Sequence, residues 1–284
     1  MNGDVPCSPQ NVFAGSVFHS KDRELYRNVH IDYKGEEISR EKLMRLLESR
    51  VLPFVPRSRR LNTNPESRTT VFLTGHSGIG FSKIQDLEEY SAFDIANSLH
   101  HMQSKGRYDK MLWVGDTCRA ASLHNEFYSP SVLAVGSSKE RQSSYSRHGD
   151  LTLGVSVVDR FSYHAEQILK SSLIDRKDEK ITVDKFSGMF DFSILMSDLS
   201  LRSDLLSGSE RLVDFLSGTD RLGRHDIRIG NWNISGNGRQ IHPKESREIS
   251  TSSKRNLHSN PVEWLSPFYS ILILMGFIIL VRIS

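Results

Sequence analysis

Two short runs decide the fold class of this sequence: TVFLTGHSGIG (70–80) and MLWVGDTCRA (111–120). Each begins with four or five apolar or β-branched residues, which is typical of a strand buried on both faces. A third run, VLAV (132–135), follows them. Helical patterns separate the three runs, and strands that alternate with helices favour a parallel sheet covered by helices on both faces. The sequence therefore predicts an α/β domain.

The rest of the chain predicts the elements around this sheet. Strands are predicted over Thr70–Thr74, Met111–Gly115 and Val132–Val135, and helices over Ser39–Ser49, Ser91–Gln103, Ala120–Phe127 and Val157–Leu169. The basic, proline-containing stretch 57–65 predicts a loop. Residues 171–223 have a mixed pattern that assigns no elements. Residues 224–262 are rich in Gly, Ser, Asn and Arg, which predicts an exposed linker.

The composition excludes several classes of protein. Of 284 residues, 37% are hydrophobic and 25% charged, which excludes collagen-like and wholly disordered chains. The formal net charge of +3 gives no support for binding to nucleic acid. The two cysteines, Cys7 and Cys118, are too few for a disulfide scaffold or a four-cysteine zinc site. We expect neither a metal nor a cofactor.

One apolar segment at the C-terminus differs from this polar body. Residues 265–283 read LSPFYSILILMGFIILVRI, with no charge between Phe268 and Val281. The length, about 17–19 residues, is at the short end for a membrane helix, and Trp264 precedes the segment as aromatic residues often do at a membrane interface. We predict a transmembrane helix over 263–284, with a buried core helix as the alternative. The N-terminus contains no apolar core of a signal peptide.

Two reactive side chains follow neighbouring predicted strands. His76 follows the first and Cys118 the second, and reactive groups collect at the carboxyl ends of parallel strands. A thiol needs a base to become a nucleophile at neutral pH, and an adjacent imidazole supplies one and can protonate a leaving amine. Backbone N–H groups near Gly75–Gly78 and at Cys118 are candidates for an oxyanion hole. The alternative is that Cys118 is a small core residue.

Two other patterns indicate less. The Gly75-x-x-Gly78-x-Gly80 spacing lacks the Lys-Ser/Thr ending of a P-loop, which argues against phosphate binding. His100 and His101 are adjacent, so on a helix they point about 100° apart. That geometry favours surface positions over metal ligation.

The sequence also resembles the catalytic subunits of GPI transamidase, members of the legumain-like cysteine peptidase family with a caspase-type fold. The matching stretches are VFLTGHSGIGFSKIQD (71–86), DKMLWVGDTCRAAS (109–122), FYSPSVLAVGSSKE (127–140), LGVSVVDRF (153–161), PRSRRL (56–61) and DVPCSPQN (4–11). The resemblance covers roughly residues 4–170. It implies a caspase/legumain-like three-layer sandwich with a mostly parallel sheet, in a catalytic domain over 1–223. A flexible linker over 224–262 and a membrane anchor over 263–284 follow.

The resemblance implies roles for individual residues. Cys118 corresponds to the nucleophile and His76 to the catalytic histidine. Cys7 corresponds to a cysteine that forms a disulfide with a partner subunit. The oxyanion hole and substrate cleft correspond to Gly75, Ser77, Gly78, Asp116, Ser137 and Ser138. Asn233 begins an Asn-Ile-Ser sequon and is a candidate glycosylation site.

The activity implied by the resemblance is the attachment of a GPI anchor to a protein. Cys118 is expected to cleave a C-terminal signal through a thioester, which the ethanolamine amine of GPI then attacks. The expected partners are the other subunits of the complex, proprotein C-terminal signals, the GPI lipid and the endoplasmic reticulum membrane, with a lumenal catalytic domain. The alternatives are a legumain-like endopeptidase and an inactive shortened chain that only binds the partner subunits.

The sequence departs from the family pattern in two ways that bear on the site. Ser77 occupies a position where family members usually have glycine, so its side chain is expected to crowd the oxyanion hole. Family members also have a signal peptide and a strand–helix–strand unit ahead of the segment matched by residues 4–11. We expect the first strands to be missing here, and their absence to leave the apolar edge of a central strand unpaired.

Overall fold

The structure, a computed structural model, describes residues 11, 13–20, 23–24, 31–85, 87–150, 155–175, 178–216 and 279–283. The strands are β1 (Phe18–Ser20), β2 (Arg23–Glu24), β3 (Arg68–Gly75), β4 (Ser77–Gly78), β5 (Phe81–Ile84), β6 (Glu88–Ser91), β7 (Lys110–Thr117), β8 (Val132–Gly136), β9 (Ser146–Asp150), β10 (Val155–Asp159), β11 (Ser200–Arg202) and β12 (Ile279–Ile283). The α-helices are α1 (Arg40–Leu47), α2 (Ala92–Ser104), α3 (Ala120–His124), α4 (Arg160–Leu169), α5 (Val183–Ser187), α6 (Phe192–Leu195) and α7 (Val213–Leu216). A π-helical turn (Lys170–Asp175) follows α4, and 3₁₀ turns lie at Gly35–Glu37 and Arg57–Arg59.

The centre of the molecule is a five-stranded sheet with the order β11-β8-β7-β3-β12. Strands β3, β7 and β8 are parallel, while β11 and β12 run antiparallel at the two edges. The predicted largely parallel sheet is therefore confirmed, and each of its three predicted strands lies within the observed one. Smaller pairings join β1 to β2, β9 to β10, and β4, β5 and β6 to one another.

Helices cover both faces of this sheet, because its central strands are apolar on both sides. Val71 and Leu73 of β3 pack in one cluster with residues of α1, α2 and α3. Phe72, the residue between them, belongs to a second cluster with residues of α4, α5 and α7. Successive strand side chains point to opposite faces, so the alternation produces three layers.

The helices that face the first cluster begin at well-formed caps. Ser39 accepts from the Lys42 N–H at the start of α1. At α2, the Ser91 hydroxyl accepts from the Asp94 N–H while the Asp94 carboxylate accepts from the Ser91 N–H. This reciprocal capping box satisfies two helix-end donors and fixes where α2 starts.

The bounds of two predicted helices differ from the structure by three residues. The helix predicted over Val157–Leu169 starts at Arg160, because residues 155–159 form β10 and pair with β9. Its first three residues are thus wrongly predicted: the β-branched residues at 155, 157 and 158 favour an extended chain. The helix predicted over Ala120–Phe127 ends at His124. The unassigned region 171–223, where the structure describes it, contains α5, α6, α7 and β11.

The apolar C-terminal segment is only partly described. Residues 279–283 form β12, which pairs with β3 from Ile279↔Leu73 to Ile283↔Thr69. A helix is therefore the wrong prediction for these five residues, whose Ile and Val content suits a strand. Their pairing also corrects the expectation that this edge of β3 is open. Residues 263–278 and 284 lie outside the described part of the chain, and within that part no helix is long and apolar enough to cross a bilayer.

Candidate active site

His76 and Cys118 lie side by side at the end of the central sheet. The parallel pairing of β3 and β7 ends at Gly75↔Thr117, and each reactive residue is the next one along its strand. Neighbouring strands are about 4.8 Å apart, so the two main chains meet at this edge. The side chain of His76 is exposed and that of Cys118 is partly exposed, which leaves both accessible to a substrate.

The main chain of His76 is held by the hairpin that follows it. Its carbonyl accepts from the Lys83 N–H at 2.9 Å and from the Ser82 hydroxyl at 3.1 Å. Both donors belong to β5, so the hairpin formed by β4 and β5 fixes the backbone at the candidate base.

The tip of this hairpin needs glycine at Gly78. A Cβ built there lies 2.3 Å from the Phe81 ring, closer than any real contact. The tip is also tied to α3, since the Gly80 N–H donates to the Ser122 hydroxyl at 2.9 Å. Ser122 is thus a supporting residue that the sequence reasoning did not single out, although it ends the DTCRAAS stretch.

Ser77 connects the two strand ends. Its hydroxyl donates to the Cys118 carbonyl and accepts from the Thr117 hydroxyl. The side chain predicted to crowd an oxyanion hole is therefore bonded to the main chain of Cys118.

Ser137 and Ser138 support β7 from below and do not face an open cleft. Both side chains are fully buried. The Thr117 N–H donates to the Ser137 hydroxyl at 3.1 Å, and the Ser138 hydroxyl donates to the Thr117 carbonyl at 2.8 Å. Burial of these hydroxyls corrects the expectation that they line the cleft, because their partners hold the peptide that precedes Cys118.

The loop over residues 137–145 approaches Cys118 from the side of β8. The Arg119 N–H donates to the Gln142 carbonyl at 2.8 Å, and the Cys118 thiol donates to the Ser144 carbonyl across an S···O distance of 3.7 Å. The Gln142 amide fixes the loop from outside, donating to the Asp198 carboxylate at 2.9 Å and accepting from the Asp198 N–H at 2.8 Å. None of these contacts has a local signal in the sequence.

Two carboxyl groups lie below the reactive pair. Asp116 is 1% exposed and accepts hydrogen bonds from Ser144 and Ser162. It was predicted to be part of the cleft, but its side chain is buried. Burial raises its pKa, which the serine hydroxyls partly offset. Burial and the nearby charge of Asp116 raise the pKa of Asp159 to about 7. The hydrogen bond that Thr74 donates to Asp159 acts in the opposite direction and lowers this pKa. Asp159 lies in the VVDRF stretch but was not singled out from sequence.

Four other positions singled out in the sequence remain: Cys7, Asn233, Gly75 and His100. Cys7 and Asn233 are outside the described residues. Gly75 has a φ of 141°, which suits glycine at the turn from β3 to His76. His100 is exposed and packs against Tyr128, with ring centroids 5.2 Å apart, as expected for a surface residue. A groove of about 380 Å³ beside Lys139 and Asp198 is lined by neither His76 nor Cys118.

The α/β sandwich, with histidine and cysteine at adjacent strand ends, has the arrangement of a cysteine peptidase. The model of the Peptidase C13 family matches residues 1–186, and the chain belongs to this family. It is 39% identical to the GPI-anchor transamidase of Saccharomyces cerevisiae over 228 residues, covering 78% of this chain and 55% of that protein. The corresponding protein of Schizosaccharomyces pombe is 37% identical over 243 residues, covering 82% and 62%. The human one is 36% identical over 170 residues, covering 59% and 43%. The chain thus spans little more than half the length of the two yeast relatives.

Proposed function

We propose that this chain is the catalytic subunit of a GPI transamidase, with Cys118 as nucleophile and His76 as acid and base. The observation that carries the proposal is the meeting of these two residues at the ends of β3 and β7, one position beyond Gly75↔Thr117. The names of the yeast and human relatives support the substrate class.

In the first half-reaction, the Cys118 sulfur bonds to the carbonyl carbon at the attachment residue. His76 accepts the thiol proton and passes it to the leaving amine as the C–N bond breaks. A thioester remains and the C-terminal signal departs. In the second half, the ethanolamine amine bonds to the thioester carbon and the C–S bond breaks. The proton released by the amine returns through His76 to Cys118, so the enzyme is regenerated.

The site carries this chemistry on a rigid support. The Cys118 segment is held by Ser77, and the preceding peptide by Ser137 and Ser138. Backbone N–H groups near Gly78 and at Cys118 are the proposed oxyanion donors, since the developing negative charge on the carbonyl oxygen needs fixed donors.

The test compares transfer with hydrolysis. Membranes that contain the full chain are incubated with hydroxylamine and a peptide carrying a small attachment residue, a polar spacer and an apolar tail. A transamidase gives the hydroxamate, whereas an endopeptidase gives the free acid. Cys118→Ala and His76→Ala are expected to abolish product, and His100→Ala, a surface histidine, is the matched control that retains it. Product formation by Cys118→Ala at the wild-type rate refutes the nucleophile assignment.

We further propose a lumenal catalytic domain over 1–223, a linker over 224–262 and a single membrane anchor in the apolar C-terminal segment, at the endoplasmic reticulum. A helix over 264–278 would be about 22 Å long, shorter than the hydrocarbon core of about 30 Å. A full span therefore requires β12 to leave the sheet. Resistance of the chain to carbonate extraction supports the anchor. Extraction, together with a disulfide crosslink between positions 279 and 73 in an Ile279→Cys, Leu73→Cys double variant, supports the sheet position.

Two finer assignments complete the proposal. Cys7 is proposed to form a disulfide with another subunit, and Asn233 to carry an N-glycan. A band shift on reducing gels that Cys7→Ala removes tests the first. A mass decrease after glycosidase treatment that Asn233→Gln removes tests the second.

A further inference from the structure

A chain of hydrogen bonds connects buried Asp116 to the thiol of Cys118 through one residue, Ser144. The Ser144 hydroxyl donates to Asp116 Oδ1 at 3.1 Å. The carbonyl of the same Ser144 accepts from the Cys118 thiol at 3.7 Å. Asp116 and Cys118 are two residues apart at the end of β7, so Ser144 closes a ring of contacts around the candidate nucleophile.

The carboxylate at the centre of this ring is held at its other oxygen. Asp116 Oδ2 accepts from the Ser162 N–H at 3.2 Å and from the Ser162 hydroxyl at 2.5 Å. Ser162 lies in the first turn of α4, where the N-cap residue Asp159 makes no side-chain capping bond. Asp116 therefore satisfies a helix-end donor that the local sequence leaves open. A 1% exposed carboxylate bonded on both oxygens is a fixed anchor for the loop.

The contact at Cys118 has a direction. The thiol donates to the Ser144 carbonyl, so the S–H bond must turn away from that carbonyl before the imidazole of His76 can accept its proton. How firmly Ser144 is held determines how readily this rotation occurs. Ser137 adds to the restraint, since its hydroxyl lies 3.2 Å from the Ser144 hydroxyl.

We propose that Asp116 is a positioning residue for the nucleophile: by holding the Ser144 hydroxyl, it fixes the carbonyl that restrains the resting Cys118 thiol. Substrate entry would have to displace this contact to release the sulfur. The inference rests on the proposed role of Cys118, but its test needs no transferase activity.

The test measures alkylation of Cys118 by iodoacetamide in the detergent-solubilised full chain, read by mass spectrometry of the Cys118 peptide. Glutathione added to the same sample is the internal reference for the alkylation rate. Ser144→Ala keeps the carbonyl but loses the hydroxyl, and is expected to raise the Cys118 rate by about fivefold, the effect of one lost hydrogen bond. Ser144→Thr restores the hydroxyl and is expected to return the rate to within about twofold of wild type. Ser143→Ala, whose hydroxyl is not a partner of Asp116, is the matched control.

Asp116→Asn tests the origin of the restraint. The amide has one acceptor oxygen where the carboxylate has two, so Ser144 and Ser162 compete for it and the alkylation rate is expected to rise. Where this variant fails to fold by tryptophan fluorescence, the Ser144 pair decides alone. An unchanged or slower rate in Ser144→Ala overturns the proposal, as does a rise that Ser144→Thr does not reverse. An unchanged rate in folded Asp116→Asn also overturns it. Whether Cys118→Ala still forms the hydroxamate is a separate measurement, and it tests only the proposed function.

Discussion

Replacing Asp159 with asparagine is expected to stabilise the protein increasingly as the pH rises from 5 to 8. Asp159 is partly buried near the buried carboxyl of Asp116, and the Thr74 hydroxyl donates to it at 3.3 Å. Desolvation and the charge of Asp116 both oppose its ionisation in the folded state. An asparagine oxygen still accepts from Thr74, so the change removes the charge and retains the bond.

The magnitude follows from the shift in pKa. The pKa of Asp159 rises from 3.8 to about 7 on folding. Because the folded pKa is the higher one, the protonated form of Asp159 favours folding. This contribution to stability is complete below about pH 4 and is lost as the pH rises through 7. At about 1.4 kcal/mol per pH unit, the interval from pH 5 to pH 7 corresponds to about 3 kcal/mol. Asp159→Asn stays neutral throughout, so its advantage over wild type should grow by about that amount.

The assay is urea unfolding of the full chain at pH 5 and pH 8, followed by tryptophan fluorescence. Trp113 is buried in the core and reports loss of the fold. Asp191→Asn is the control, since that exposed carboxylate has a pKa lowered by the Ser193 hydroxyl and the Ile194 N–H. Its charge favours folding above its unfolded pKa, so neutralising it should give no gain at pH 8. A gain from Asp159→Asn that is equal at both pH values, or absent at pH 8, refutes the account of the carboxyl pair.

Two further changes test the supports of the site. Gly78→Ala places a Cβ against the Phe81 ring and is expected to destabilise the fold by about 1–3 kcal/mol and to reduce hydroxamate formation. Gly149→Ala is its control, because a Cβ there meets no atom within 4 Å. Equal melting temperatures of the two variants contradict the steric argument. Gln142→Ala removes both side-chain bonds to Asp198, and is expected to lower kcat of the transfer about tenfold while KM changes little. An unchanged kcat would show that the loop keeps its place without Gln142.

The central sheet could be predicted from the sequence because its signal is local. Each of β3, β7 and β8 is a continuous apolar run bounded by turn residues, and burial on both faces requires such a run. The three-layer arrangement follows from the same alternation, with Val71 and Phe72 in different clusters. The predicted helix begins three residues too early, across Val157, Val158 and Asp159, although an Asp at the N-cap position is itself a start signal for α4.

The last part of the apolar C-terminal segment, Ile279–Ile283, shows where hydropathy does not separate a helix from a strand. A run of Ile, Leu and Val suits both a membrane helix and a buried strand, and periodicity does not separate the two. The partner decides: the edge of β3 offers unpaired N–H and C=O groups to Ile279–Ile283, and pairing satisfies them. Such a partner lies more than 200 residues away in sequence, beyond the reach of any local pattern.

The same distinction separates the reactive residues from those that hold them. The adjacency of His76 and Cys118 could be predicted because each immediately follows its strand, so topology alone brings their main chains together. Ser144 and Ser162 reach Asp116 across 28 and 46 residues, through a loop and a helix whose paths depend on the packing of the whole domain. Reactive groups at strand ends are therefore visible in a sequence, whereas the contacts that orient them depend on the complete fold. If Asp116 restrains Cys118 as proposed, substitutions at Ser144 or Ser162 should change the reactivity of the Cys118 thiol while His76 and Cys118 themselves stay in place.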